Sequence, residues 1–146
     1  MTRNAIITAV GVAVAVIIVT GVLMYYNEHT VREPYAPDPE LDEIVREMYN
    51  LHPKVKDLVF SEGNKSYTIN KKNVYICMRD ENDKYYDRNF LKFVVLHEIS
   101  HALCDEIGHT PKFTRIFGDV LERAARLGIY DPNGMHIEDY CNYKKK

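Results

Sequence analysis

The feature that most constrains the fold of this 146-residue chain is the apolar run 90–104, which carries the pentapeptide H-E-x-x-H at residues 97–101. On a helix, two imidazoles four residues apart lie on one face, close enough for their ring nitrogens to bind one metal ion. Glu98 falls in the same sector, whereas Ile99 and Leu103 point to the opposite side. Because burying such a polar cluster without a partner is costly, we expect a buried helix with a binding site on one face.

The same pentapeptide predicts a reaction class. Zinc is the metal that this pattern typically binds, and His97 and His101 are the expected ligands. Glu98 follows the first histidine and can act as the general base on a zinc-bound water. The chain is therefore expected to be a zinc metallopeptidase of the HExxH type that hydrolyses peptide bonds. The alternative is a pair of core histidines whose ring nitrogens bond backbone carbonyls.

His109 is the expected third ligand, because a catalytic zinc site usually has three protein ligands and one position for water. Gly108 favours a left-handed turn that ends the first helix, and the Thr110–Pro111 pair is typical of the start of another. His109 would then lie in a tight corner between two helices. The rival ligand is Glu122, which the apolar spacing of its helix directs toward solvent. The histidines without ligand-like spacing are expected at the surface: His29, His52 and His136.

These motifs resemble those of the WLM and SprT-like zinc metallopeptidases, in which a histidine preceded by glycine follows the HExxH helix, with a phenylalanine a few residues later. The block 66–143 is also similar to short membrane-anchored metallopeptidase-like proteins of large DNA viruses. The resemblance implies one zinc ion per chain, held by His97, His101 and His109. It also implies that Glu98 is the catalytic base. The spacing between the last two histidines is longer than in the WLM pattern.

The N-terminal region predicts a membrane attachment. Residues 1–4 form a short flank, and residues 5–24 carry no charged side chain over a length that can cross a bilayer as a helix. The proline-containing residues 25–38 are expected to be an extended tether. We therefore expect a single-pass protein of a viral or host membrane, with the lipid bilayer as a partner and a slight preference for an extracytoplasmic catalytic domain. A cleaved signal peptide and a buried helix are the alternatives.

Residues 39–146 are expected to form one α+β domain, a minimal zincin-like fold. Apolar residues at helical spacing predict a first helix at 39–50, and strand-like runs follow at 55–60, 66–69 and 74–78. The HExxH helix and one further helix complete the order. The strands predict a small antiparallel sheet, whose edge can receive an extended peptide as an additional strand.

Charge and cysteine content narrow the expected partners. The chain has 19 basic and 21 acidic residues and a formal net charge of −2. Because it lacks a basic stripe, we expect a peptide or protein substrate and no nucleic acid. Cys77 and Cys141 can pair in an oxidising compartment, although the sequence alone does not fix the pairing. Cys104 is expected to be a small buried apolar residue.

Two further assignments stay open. Tyr130, Tyr140 and Tyr143 are candidates for the donor that stabilises a developing oxyanion, and Asp105 is expected to orient a histidine rather than bind metal. The competing function is a non-proteolytic zinc-binding module that acts as a structural or interaction protein at a membrane. Glu98 favours the peptidase, because a structural zinc site has no use for a base.

Overall fold

The computed structural model describes residues 16–22 and 38–142, and the chain divides into two compact units, Met1–Ala36 and Pro37–Lys146. In the first unit, residues 16–22 are helical and exposed. The second unit contains three α-helices and three strands among its described residues. It is an α+β domain, and it carries every ligand and base residue that the motifs single out.

The predicted membrane anchor requires a correction. Among the described residues no helix has both the length and the apolar character that crossing a bilayer demands, which is about 20 consecutive apolar positions. Of the predicted span 5–24, only residues 16–22 are described, and the other residues of the span lie outside the described part, as do residues 25–37 of the predicted tether. On this finding the predicted transmembrane helix, and the single-pass membrane location that rested on it, were wrong.

The second unit places its helices and strands in a simple order along the chain. The elements are α1 (Pro39–Met48), a 3-10 helix (Pro53–Asp57), β1 (Val59–Glu62), β2 (Tyr67–Ile69), β3 (Asn73–Ile76), α2 (Arg88–Leu103) and α3 (Pro111–Arg126). The sheet has the strand order β1-β3-β2, with β1 parallel and β2 antiparallel to β3. The prediction of an antiparallel sheet was wrong for one of its two strand pairs. After the hairpin, β3 lies between β2 and β1, and there it runs in the same direction as β1.

The hairpin between β2 and β3 determines which side chains face α2. Asn70 and Lys71 both have positive φ, 53° and 54°, and the amide of Lys72 donates to the Ile69 carbonyl at 3.1 Å. Two consecutive residues of positive φ are typical of the tight turn that matches the twist of a hairpin, as the sequence predicted. The register pairs Thr68 with Val74, so both side chains point from the sheet toward α2.

The strand predicted at 55–60 begins later than expected. The imidazole Nδ1 of His52 accepts a hydrogen bond from the Lys54 amide at 3.1 Å, and Pro53 occupies the first position of the 3-10 helix. Proline favours this position, because its φ is already helical and it has no N–H to satisfy. The strand therefore starts at Val59.

Helix α2 is fixed at both ends and buried along most of its length. The Asp87 carboxylate caps it by accepting from the Phe90 amide at 3.0 Å. At the other end, Lys54 donates to the Ala102 carbonyl at 2.6 Å and Lys71 donates to the His101 carbonyl at 3.0 Å. Its fully buried side chains belong to the core: Leu91, Val95, Leu96 and Ile99. The HExxH segment is thus part of a rigid core helix.

A disulfide fastens the C-terminal segment to the end of β3. Cys77 pairs with Cys141, whereas Cys104 is buried and free. Beside the disulfide, the Tyr140 hydroxyl donates to the Cys77 carbonyl at 2.6 Å and lies 2.6 Å from Ser66 Oγ, which accepts from the Cys77 amide at 2.9 Å. Because the tyrosine proton goes to the carbonyl, the serine hydroxyl donates to the tyrosine oxygen. These bonds form a closed ring.

We predict that the double variant Cys77→Ser/Cys141→Ser is less stable than the wild type under non-reducing conditions. The disulfide closes a sequence separation of 64 residues, and loop closure of that length is worth about 4 kcal/mol of unfolding free energy. Chemical denaturation measures the difference. As a control, the thiol-free reductant tris(2-carboxyethyl)phosphine should lower the wild-type midpoint to that of the variant without moving the variant. Equal midpoints without reductant would contradict the prediction.

Candidate metal centre

Three histidine side chains converge on one point at the surface of α2. The Nε2 atoms of His97 and His101 lie 3.2 Å apart, those of His101 and His109 3.1 Å, and those of His97 and His109 3.0 Å. Within the described part of the chain, these residues form a group whose ligand atoms can hold a metal ion together. The structure therefore places the three histidines that the sequence singled out at a single site.

The chain reaches this point by a turn that differs from the expected one. Helix α2 ends at Leu103 and not near Gly108, because Cys104 is extended, with φ −80° and ψ 129°. Gly108 instead has φ 82° immediately before His109, a left-handed conformation that glycine adopts at little cost. The Thr110 hydroxyl then accepts from the Phe113 amide at 3.2 Å and caps α3, as predicted.

The spacing of the three nitrogens fits a zinc ion. A triangle with sides near 3.1 Å has its centre about 1.8 Å from each corner, slightly less than the Zn–N distance of about 2.0–2.1 Å. A point at the bonding distance from all three nitrogens therefore exists just outside their plane. Nitrogen donors in this number are also those of catalytic zinc sites. The residues present thus fit the metal that the motif implies.

The surroundings of the two helical imidazoles, His97 and His101, favour the neutral form that binds metal. Burial, together with the smaller effect of the neighbouring His101 and His109, lowers the pKa of His97 to about 4. Burial also lowers the pKa of His101, and repulsion from His109 and Lys71 lowers it to a smaller extent. Metal binding requires the neutral ring. Three Nε2 atoms directed at one point cannot all be satisfied by hydrogen bonds to each other, whereas one cation can accept a lone pair from each.

Helix α3 supplies an aromatic wall that holds the imidazoles in place. The Phe113 ring stacks on His101 with centroids 4.1 Å apart and meets His97 and His109 edgewise at 5.1 Å and 4.9 Å. The Phe117 ring meets His97 at 5.0 Å. Because Phe113 is only 3% exposed, its ring is itself fixed by the core. This packing restricts the ring orientations before any ligand binds.

Glu98 is buried beside the histidines and has one specific partner. The Thr68 hydroxyl on β2 donates to Glu98 Oε2 at 2.8 Å. The same hydroxyl lies 3.1 Å from the backbone carbonyl of Glu98. Burial raises the pKa of Glu98, and the hydrogen bond from Thr68 opposes this shift. The sequence analysis missed Thr68. The signal for it was the alternation of β2, which directs the middle residue of a three-residue strand to one face.

The rival acidic residues lie elsewhere. Glu122 is exposed and bonds Arg126 at 2.9 Å on the solvent side of α3, as its helical position predicted. Asp105 binds Lys112 at 2.6 Å and makes no hydrogen bond to a histidine among the described residues. The predicted role of Asp105 in orienting a histidine was therefore wrong, because a lysine on the next helix is its nearer partner.

Of the three candidate tyrosines, the structure describes Tyr130 and Tyr140. The Tyr140 hydroxyl is engaged by Cys77 and Ser66, and burial raises its pKa far above the ordinary value. Tyr130 packs against the Phe93 ring at 6.2 Å, and Tyr143 lies outside the described residues. None of the contacts of the described tyrosines identifies a donor for a developing oxyanion.

Two adjoining cavities form a cleft around this centre. One, of about 580 Å³, is bordered by the strand segment 66–71 and by the three histidines. The other, of about 350 Å³, is bordered by the first turns of α2 and by the C-terminal segment. Both cavities include Ser66, His97 and Glu98 in their walls. His136 is exposed, as predicted, but it lies at the second cavity, a position that its sequence spacing did not reveal.

The chain is similar to several viral proteins. An uncharacterized protein of Invertebrate iridescent virus 6 is 45% identical over 97 residues, which cover 64% of this chain and 54% of that protein. An uncharacterized protein of Invertebrate iridescent virus 3 is 46% identical over 87 residues, or 59% of this chain and 55% of that protein. A more distant one, from Acanthamoeba polyphaga mimivirus, is 32% identical over 84 residues, or 52% of this chain and 41% of that protein.

The chain thus spans about half the length of the two iridescent virus proteins and 41% of the mimivirus protein. No protein-family profile and no solved structure matches it. The comparisons therefore show viral homologues.

Proposed function

We propose that this protein is a zinc-dependent peptidase, in which His97, His101 and His109 hold one zinc ion and Glu98 is the general base. The observation that carries the proposal is the convergence of three Nε2 atoms within 3.2 Å of one another, with Glu98 in the wall of the same cleft. The resemblance of the motifs to those of the WLM and SprT-like peptidases supports it. The viral homologues favour a protein that acts in a viral context.

The number of ligands favours catalysis over a structural site. Structural zinc sites are usually closed by four protein ligands, whereas catalytic sites use three and leave one position open. Among the described residues, the cluster contains three histidines and no fourth ligand, and its open side faces the cleft. When bound, zinc would supply a Lewis acid that polarises a carbonyl and lowers the pKa of water toward about 7.

Glu98 has the position and environment of a base. It follows His97 directly and lies in the wall of both cavities, where burial raises its pKa and so strengthens it as a proton acceptor. The Thr68 hydroxyl holds one carboxylate oxygen at 2.8 Å and leaves the other for a water molecule. Glu98 would accept a proton from the attacking water and deliver it to the leaving amine.

The neighbouring sheet edge favours a peptide substrate. Within the described residues, β2 pairs with β3 on one side only, and segment 66–71 borders the larger cavity beside the histidines. An edge strand offers unpaired backbone groups to an extended chain. A peptide added to this edge would gain main-chain hydrogen bonds and place a peptide bond in the cleft.

We predict that Glu98→Gln lowers peptide hydrolysis by about 10²- to 10⁴-fold while zinc stays bound, because the amide cannot accept the proton. Mass spectrometry of a peptide mixture incubated with the full-length protein measures the activity. Glu122→Gln is the matched control and should behave as the wild type, since Glu122 faces solvent. Chelation should abolish hydrolysis, and added zinc should restore it.

Hydrolysis that persists at the wild-type rate in Glu98→Gln would contradict the assignment of the base. A wild-type protein that holds zinc and hydrolyses no peptide would instead favour the non-proteolytic zinc-binding module.

We further predict that the wild-type protein binds one zinc ion and that His109→Ala weakens this binding at least about 100-fold. Loss of a residue that only hydrogen-bonds to a metal ligand already weakens metal binding about 10- to 100-fold, and loss of a ligand itself should cost at least as much. Competition with a chromophoric chelator measures the affinity, and elemental analysis gives the stoichiometry. Glu122→Ala tests the rival ligand and should bind zinc as tightly as the wild type. Weak binding in Glu122→Ala together with tight binding in His109→Ala would reverse the assignment.

A further inference from the structure

The smaller cavity of the cleft has walls of a different character from the catalytic centre. Three residues of α2 and two of the C-terminal segment provide its apolar surface: Phe90, Phe93, Val94, Ile137 and Tyr140. Its polar lining consists of Glu98 and His97, which also belong to the catalytic centre, and of four further residues: Lys65, Ser66, His136 and Asn142. The cavity thus has an apolar side, formed by α2 and the C-terminal segment, that adjoins the proposed base and one ligand.

The sequence of α2 explains why this space adjoins the metal centre. Phe90, Phe93, Val94 and His97 follow a spacing of i, i+3, i+4 and i+7, so they form one stripe along the helix. Val94 precedes His97 by three residues, which corresponds to about 4.5 Å along the helix axis. A substrate side chain is long enough to cover that distance. A residue bound at the metal centre can therefore place its side chain in the cavity.

The aromatic side of the smaller cavity, around Phe90, is formed before any ligand binds. The Phe90 ring meets the rings of Tyr140 at 5.2 Å, His136 at 5.8 Å and Phe93 at 6.2 Å. Because Phe90 is only 3% exposed, the core holds its ring in position. Pockets that bind ligands are usually formed in advance, concave and mostly apolar.

The opposite wall, formed by the C-terminal segment, is held by covalent and polar links. Besides the disulfide of Cys141, the Asn89 side chain donates to the Asp131 carbonyl at 2.9 Å and accepts from the Asp131 amide at 2.9 Å. The Cys141 amide donates to the Tyr86 hydroxyl at 3.1 Å. These links position the segment over the first turns of α2. They give the cavity two fixed sides.

We propose that this cavity is a specificity pocket, which takes a large apolar side chain, aromatic or leucine-like, of the peptide residue that flanks the scissile bond. The proposal rests on the proposed peptidase function and names its substrate class. The volume of about 350 Å³ is near the lower end of the range of about 300–1,000 Å³ for small-ligand sites, which suits one large side chain. A charged side chain of either sign would lose its hydration against the phenylalanine rings, a cost that the charges in the wall, Glu98 and the exposed Lys65, only partly offset.

The test uses the full-length protein and peptides that differ at one position next to the cleaved bond. Phe and Leu at that position should give kcat/KM values about 10- to 100-fold above those for Ala, Asp or Lys. Fluorescence anisotropy of the same labelled peptides with Glu98→Gln measures their binding without turnover. Binding should follow the same order of side chains.

A pocket variant separates this specificity from general damage. Ile137→Trp fills the cavity from its less buried side and should lower kcat/KM for the Phe and Leu peptides about 10- to 100-fold, to the value that the wild type has for the Ala peptide. Leu127→Trp is the matched control, because Leu127 is 49% exposed and borders neither cavity. Zinc content and the unfolding midpoint establish that each variant is folded.

The outcomes distinguish the pocket from the peptidase. Cleavage of all peptides at similar rates would overturn the pocket and leave the proposed function intact. Selective binding of Phe and Leu peptides without cleavage by the wild type would support the pocket and overturn the peptidase. Neither cleavage nor selective binding would overturn both.

Discussion

The burial of helix α2 is the constraint on which the rest of the site depends. Its apolar residues lie in the core on most sides, so the backbone of the HExxH segment has little freedom. Because His97 and His101 share one face of this fixed helix, the helix itself holds their ring nitrogens close together. His109 joins them from a loop that Gly108 turns and the Thr110 cap ends. Rigid support of this kind holds binding groups in place in advance.

The two walls of the cleft come from parts of the chain far from the motif. The hairpin of β2 and β3 places Thr68 against Glu98, and Lys71 at its tip connects the hairpin to the C-terminal end of α2. On the other side, the disulfide of Cys77 and Cys141 holds the segment that carries Ile137. The hairpin wall is thus joined to the end of α2, and the C-terminal wall is joined to the end of β3. This arrangement allows a short domain to enclose a cleft.

The sequence predicted the parts of the site that depend on local spacing. Helix periodicity and the helix-start signal at the Thr110–Pro111 pair indicated the three histidines and the solvent side of Glu122. The alternation of β2 determines the face on which Thr68 lies, but its contact with Glu98 joins residues 30 positions apart. Such a contact, like the position of His136 at the second cavity, appears only once the chain is folded. The mixed sheet was missed for the same reason. The membrane anchor was predicted from hydropathy alone, and the described helices do not bear it out.

The proposed metal centre consists of three imidazoles and one open position. X-ray absorption at the zinc edge of the zinc-loaded, full-length protein examines this centre directly, because the spectrum reports the type and number of ligand atoms. We expect three imidazole nitrogens at about 2.0–2.1 Å together with one or two further light atoms from exchangeable ligands, and no sulfur. A sulfur scatterer at about 2.3 Å, or a shell of four imidazoles, would indicate a closed site and rule out the proposed centre.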